Sequence, residues 1–177
     1  YFLFHVGMGF DAAVVEQVER RGDLKRYLGH PLFVFSVFST WFRHYDRSRP
    51  RMRVTHAGGV ISDGYFVLAV NKDPYTYLGS RPLEIAPEAT FDRGLVGITL
   101  RTLSFGGLSN IAAKALRSGS SVARARKADY ATDLTDMLVE GYGPFPYQMD
   151  GDHLGESDRL VFSHEPNALR LVVPQSD

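Results

Sequence analysis

Tyr147-Gln148-Met149-Asp150-Gly151-Asp152-His153-Leu154-Gly155-Glu156 sets two carboxylates on either side of a glycine, between an alternating run and a second strand-like run. Asp and Gly together favour a tight turn, with Gly151 free to take positive φ. The stretch reads as a turn that holds Asp150 and Asp152 at a strand end, where a carboxylate can face a reacting hydroxyl. The plain alternative is a hairpin with acidic turn residues and no chemistry. The rest of the chain weighs one reading against the other.

With 177 residues the chain is one domain or slightly more, long enough to bury a core. Its 20 Lys+Arg balance 20 Asp+Glu, so bulk charge gives no argument for nucleic acid. Cysteine is absent, which excludes disulfides, thiolate metal sites and Cys nucleophiles. The longest apolar stretches fall short of the roughly 20 residues a membrane-spanning helix needs. The first residues, Tyr1-Phe2-Leu3-Phe4-His5, carry no initiator Met or charged leader and read like the middle of a strand. That pattern predicts a piece of a longer protein without a signal peptide.

After this apolar opening, Gly7-Met8-Gly9-Phe10-Asp11 breaks the pattern and suits a strand-to-helix turn. A dinucleotide fingerprint is rejected, because Ala12 stands where the third glycine belongs and no βαβ unit frames it. Asp11 is positioned to cap a helix over 12–20, whose Val14, Val15 and Val18 share a face. A short basic turn over 23–28 carries Lys25, and Pro31 opens a second helix that runs to about residue 45. That helix is apolar nearly all round, with Phe33, Phe35, Phe38, Trp41 and Phe42; it reads as buried core, or as the lining of a greasy pocket. Arg43, Arg47, Arg49, Arg51 and Arg53 follow, a solvated basic edge or a patch facing anionic headgroups.

From residue 51 the period changes to two, predicting a strand over 51–56 turned at Ala57-Gly58-Gly59. Residues 65–70 are nearly all apolar, as in a strand buried on both faces. A polar loop with aromatics covers 71–79, a turn falls at Phe91-Asp92-Arg93-Gly94, and a strand is predicted over 95–101. Residues 104–117 read as an amphipathic helix stopped by Gly119. Short strands and turns are expected from Val122 through 160–162 and 169–173. Helices early and many short strands later predict an α+β, mainly β fold: a sandwich of short strands with attached helices.

Four pieces now stand in order: Gly7-Met8-Gly9-Phe10-Asp11-Ala12 with the Lys25 to Gly29 segment; Asn71 with Tyr75 to Gly79; Ala86-Pro87-Glu88-Ala89 leading into Asp92-Arg93-Gly94-Leu95; and Gln148-Met149-Asp150-Gly151-Asp152. Together, over essentially the whole chain, they resemble the diacylglycerol kinase, sphingosine kinase and bacterial lipid kinase family. Members of that family have an α/β domain with a Gly-Gly-Asp-Gly-Thr loop for ATP, followed by a β-sandwich domain. No such loop is spelled here: Ala57-Gly58-Gly59-Val60 and Phe105-Gly106-Gly107-Leu108 lack the acid. The resemblance therefore implies that residues 1–177 are the second, lipid-binding and base-carrying domain, inactive as a kinase without the nucleotide domain.

The resemblance also implies roles. Asp152 falls on the acid that takes the lipid hydroxyl's proton, with Asp150 beside it in the catalytic pair. Many members carry Glu at that position, so Asp152 is one methylene short. Phe10, Asp11 and Lys25 fall on lipid-binding and active-site charge positions. A magnesium site is implied from the carbonyls of Thr90 and Leu95 and an acid; the acid's place is taken by Arg93, with Asp92 adjacent. ATP and Mg²⁺ are the implied cofactors. The implied partners are diacylglycerol or a similar hydroxyl lipid and a membrane surface, met peripherally from the cytoplasm, and a homodimer through the face left by the missing domain. Two alternatives stand beside this: a non-catalytic lipid-binding or regulatory module, and an NAD kinase-like enzyme.

Overall fold

The computed structural model describes residues 1–19, 48–78, 81–104 and 127–168. In chain order these form β1 (His5–Gly9), α1 (Phe10–Glu19), β2 (Met52–His56), β3 (Ile61–Gly64), β4 (Phe66–Val70), β5 (Thr76–Leu78), β6 (Arg81–Leu83), β7 (Leu95–Leu100), β8 (Ala128–Leu134), β9 (Asp136–Met149) and β10 (Asp152–Ser163). An 8-stranded sheet runs β3-β2-β9-β1-β4-β7-β8, with β10 paired to β9; β5 and β6 make a separate pair. The expected mainly β fold with an attached helix is what the chain adopts.

One strand joins the two layers. Met137 to Gly141 of β9 pair with β2, and Tyr147 to Met149 pair with β1, while β10 follows β9 along the opposite edge. The sheet thus turns about β9, so that β2, β9 and β10 face β1, β4 and β7 across a shared core. Val6, Met8, Met52, Val54, Val67, Ala69, Met137, Val139 and Phe145 fill it, all nearly without solvent exposure. Each Val or Met buried this way contributes about 1.5–3 kcal/mol over leaving it in water. At the bend, Gly141 has no room for a side chain: a Cβ would lie 2.2 Å from the Gly143 carbonyl oxygen and 2.8 Å from Phe145.

β4 and β7 are buried on both faces, as their unbroken apolar runs require. Leu68, Val70, Val96, Ile98 and Leu100 point to the second face, where Ile85, Ala86 and Ala89 cover them. Asp73 ties this cover down: its N–H donates to the Ala89 carbonyl at 3.2 Å and its Oδ1 accepts from the Ile85 N–H at 3.2 Å. Its Oδ2 is buried with no hydrogen-bond partner among the described residues. Burial raises the Asp73 pKa above the ordinary value, the Ile85 N–H partly opposing it. Tyr130, half-buried and hydrogen-bonded to Glu88, is also raised, chiefly by burial.

The sign for Asp73 follows from linkage. A carboxyl raised on folding stabilises the fold below its unfolded pKa of about 4, and that contribution is lost as pH rises through the higher folded value. Asp73→Asn copies the neutral acid. It is expected to match the wild type near pH 4 and to exceed it at neutral pH, where the wild type must bury a carboxylate charge. Urea denaturation at the two pH values checks this; a variant less stable at neutral pH would refute it.

On the outer face of β3, β2, β9 and β10 the charges alternate. Arg53 is register-paired with Asp63 on one side and Glu140 on the other, and Arg159 is opposite Glu140 with Nε 3.9 Å from its carboxylate. The Arg53 guanidinium lies 5.6 Å from the Tyr142 ring centre, and the Tyr142 hydroxyl donates to Asp63 at 2.6 Å. Arg53, read from sequence as part of a basic edge or patch, is therefore charge-matched within the sheet. Arg53→Glu sets like charges opposite both neighbours and is expected to lower stability. The loss should shrink in high salt, which urea titrations at low and high NaCl measure.

Three expectations are revised. Gly7 and Gly9 lie within β1, and the helix begins directly at Phe10, with Gly9 at φ 80 as the hinge. Asp11 is therefore inside the first turn of α1 and does not precede it. The region after residue 127 holds long strands: β9 has 14 residues and β10 has 12. Pro144 is tolerated because β9 pairs with neither β2 nor β1 between Gly143 and Pro146, so no ladder bond on that side needs its N–H. The expected helices over 32–45 and, but for residue 104, 104–117, the Lys25 turn and the strand over 169–173 lie outside the described residues.

Candidate functional site

The acidic stretch is the turn of the β9–β10 hairpin. Asp150 and Gly151 are its two loop residues, with φ of 51 and 98, and Asp152 opens β10 opposite Met149. Positive φ at both positions is the mirror-image turn that matches strand twist, which explains Asp followed by Gly. Below the turn, Gln148 is fully buried and its Oε1 accepts from the Gly151 N–H at 2.9 Å.

Asp150 works on the N-terminal segment. Its Oδ2 accepts from the Leu3 N–H at 2.8 Å, and its Oδ1 from the N–H groups of Phe4 and His5 at 2.9 Å each. Its own N–H donates to the His5 carbonyl at 2.9 Å. From the other side the Asn71 amide donates to the Leu3 carbonyl at 3.0 Å, and the N–H groups of Asn71 and Lys72 reach the Phe4 carbonyl at 2.8 and 3.2 Å. Residues 3–5 are thereby held between the hairpin tip and the loop after β4, and the His5 ring lies 4.6 Å from that of Tyr75, tilted by 47°.

Beside this clamp lies a cavity of about 740 Å³, walled on its apolar side by Phe2, Val6, Leu95, Tyr147, Met149 and Leu160. Its size is that of small-molecule sites, which run roughly 300–1,000 Å³. Polar groups gather at Asn71, Asp92, His164 and Glu165. A hydrogen bond to Glu165 raises the Tyr1 hydroxyl pKa. Directly opposed residues of an antiparallel pair project to one face. Asp152, exposed, thus shares the face of Met149 in the cavity wall.

Of the residues singled out from sequence, Asp92 and Leu95 line this cavity, Asp150 binds the N–H of its lining residue Leu3, and Asp152 is in register with its lining residue Met149. Phe10 is not among them: it is 7% exposed and packs on Val14 and Leu103. It follows Gly9, the far end of β1 from the His5 end that meets the acidic turn, about 13 Å away at 3.3 Å per residue. Asp11 shares that end; Lys25 lies outside the described residues. The cavity walls from Phe2, Val6 and Leu160 carried no sequence signal beyond apolarity.

The Thr90–Leu95 turn does not fit a divalent cation. Such an ion takes six or more oxygen ligands, carboxylates among them. Here the Thr90 carbonyl already accepts the Arg93 N–H at 3.1 Å, and the Arg93 guanidinium lies 3.9 Å from Asp133. Among the described residues no group of three or more His, Asp or Glu side chains is placed to hold a metal. Nor, among them, is any helix long and apolar enough to cross a membrane.

No family model and no curated protein sequence matches the chain. Solved structures do. One, described as "a putative diacylglycerol kinase from Bacillus anthracis str. Sterne", is 18% identical with a TM-score of 0.54, over 92% of this chain and 48% of its own. A second structure so described is 14% identical with a TM-score of 0.51, over 90% of this chain and 49% of its own. The chain therefore has the fold of about half of these larger molecules, in agreement with the resemblance its motifs carry.

Proposed function

We propose that this chain is the lipid-binding, base-carrying half of an ATP-dependent lipid kinase, acting on diacylglycerol or a similar hydroxyl lipid at a cytoplasmic membrane surface. The observation that supports it best is the exposed Asp152 in register with Met149, which lines the apolar cavity. In this reading the acyl chains occupy the cavity and leave the hydroxyl at its mouth. Asp152 accepts the hydroxyl proton as that oxygen bonds to the γ-phosphorus of ATP, while the bond from that phosphorus to the β,γ-bridging oxygen breaks and the bridging oxygen leaves with ADP. Mg²⁺, when bound, would offset the phosphate charge; in this reading it and ATP would be held mostly by the nucleotide domain that the resemblance implies. Asp150 acts here as a positioning residue, fixing the segment that carries Leu3 to His5.

A second reading, a lipid-binding module without catalysis, is favoured by Phe10, packed in the core, and by Arg93 in place of an acid. An ATP-dependent phosphorylation assay over a lipid panel, comparing the full-length parent with this chain alone, decides between them. Phosphorylation by the parent only is expected. A parent that phosphorylates no lipid, while this chain binds one, would leave the binding module.

A further inference from the structure

The turn before β7 is seated by protein groups. The Gly94 N–H donates to Asp133 Oδ1 at 2.9 Å, and the Arg93 guanidinium approaches Asp133 Oδ2 at 3.9 Å. The Arg93 N–H closes the turn onto the Thr90 carbonyl. Asp133 itself sits in the left-handed region at φ 58, unusual for a residue other than glycine, at the corner where β8 meets β9. The contact is close: a Cβ on Gly94 would lie 2.7 Å from the Leu134 carbonyl oxygen and 2.8 Å from the Asp133 carbonyl carbon. One carboxylate therefore holds both the backbone and the cation of this turn. The turn in its place presents Phe91, Asp92 and Leu95 to the cavity, and Lys72 lies 5.6 Å over the Phe91 ring.

The resemblance implies a divalent ion here, and the donor set does not suit one. We propose that Arg93 and Asp133 are positioning residues that take the ion's place, so that the turn forming one cavity wall is seated without a metal. Both side chains are about half exposed (47% and 60%), so the ion pair alone adds little; its partner, the Gly94 bond to the same carboxylate, carries more of the effect. The guanidinium supplies positive charge beside Asp133, at the turn where the resemblance implies a cation.

Thermal unfolding of this chain in millimolar Mg²⁺ and in EDTA tests the proposal, with Asp133→Ala, Arg93→Lys and Arg93→Asp beside the wild type. The wild type should unfold at one temperature in both buffers. Asp133→Ala, which removes the acceptor of the Gly94 N–H together with the charge, should fall by a few degrees in both, whereas Arg93→Lys, which keeps the charge, should stay near the wild type. Arg93→Asp should fall in EDTA and recover in Mg²⁺, because it adds a carboxylate next to Asp92 and facing Asp133. A wild type stabilised by Mg²⁺, an Asp133→Ala variant as stable as the wild type, or an Arg93→Asp variant that Mg²⁺ does not restore would each overturn it. The proposal rests on the cavity reading only for its bearing on lipid binding. The unfolding measurement uses no lipid, so failure of the kinase reading in the phosphorylation assay would be seen separately.

Discussion

Asp150→Ala is expected to lower the stability of the domain by about 4–5 kcal/mol, a shift in Tm of roughly 8–20 °C for a chain of this size. Two losses add. The carboxylate accepts three backbone N–H groups from consecutive residues at 2.8–2.9 Å. Such bonds are each worth about 1 kcal/mol net, the discount for exposure included. Alanine must also hold the turn at φ 51, a region that costs a Cβ-bearing residue about 1–2 kcal/mol and that Asp tolerates better. Asp150→Asn keeps the tolerance and one acceptor oxygen, and should lose about half as much. Asp150→Gly should lose about 1 kcal/mol less than alanine, because it relieves the strain but restores no acceptor. Urea unfolding of the three variants measures the order. An alanine variant within 1 kcal/mol of the wild type would show that the N-terminal segment is held by other means.

Asp152→Asn should do the reverse. In the full-length parent it is expected to reduce kcat for lipid phosphorylation by about 10²–10⁴-fold, the usual contribution of a positioned general base. Its side chain is exposed at the first position of β10, so removing its charge should leave Tm within about 1 °C of the wild type. Asparagine preserves shape and hydrogen bonding but cannot take the proton, so KM for the lipid should hold. Activity retained above about a tenth of wild type would remove Asp152 from the role of base. The two neighbours thus separate cleanly: one variant moves stability, the other moves turnover.

Local chemistry explains what could be read in advance. The hairpin was legible because Asp followed by Gly demands a turn with positive φ. β4 and the strand after Gly94 were legible because six-residue apolar runs leave no face for water. Gly7 and Gly9 misled because glycine inside a sheet is indistinguishable from glycine in a turn until its partner strands are known. The length of β9 was hidden by Gly141, Gly143, Pro144 and Pro146, which read as breaks and instead mark the stretch where the strand changes partners. The cavity could not be read at all: Phe2, Leu95, Tyr147 and Leu160 are far apart in the chain, and only the closed sheet brings them together. Asp133 was equally silent, since nothing around it announces that its carboxylate reaches the residue after Arg93.

The change of partners along β9 bears on how the chain folds. Val6 meets Met149 and Met52 meets Gly141, so both layers are completed by residues made late in translation. Before β9 emerges, β1 and β4 can already pair, yet β1 and β2 each keep an edge open. Closing those edges joins segments far apart in sequence, the kind of contact that slows folding and prolongs exposure to aggregation. The nascent domain is most vulnerable in that interval. The charges along β2 and β3, already paired as Arg53 with Asp63, give its open edge a polar guard while it waits.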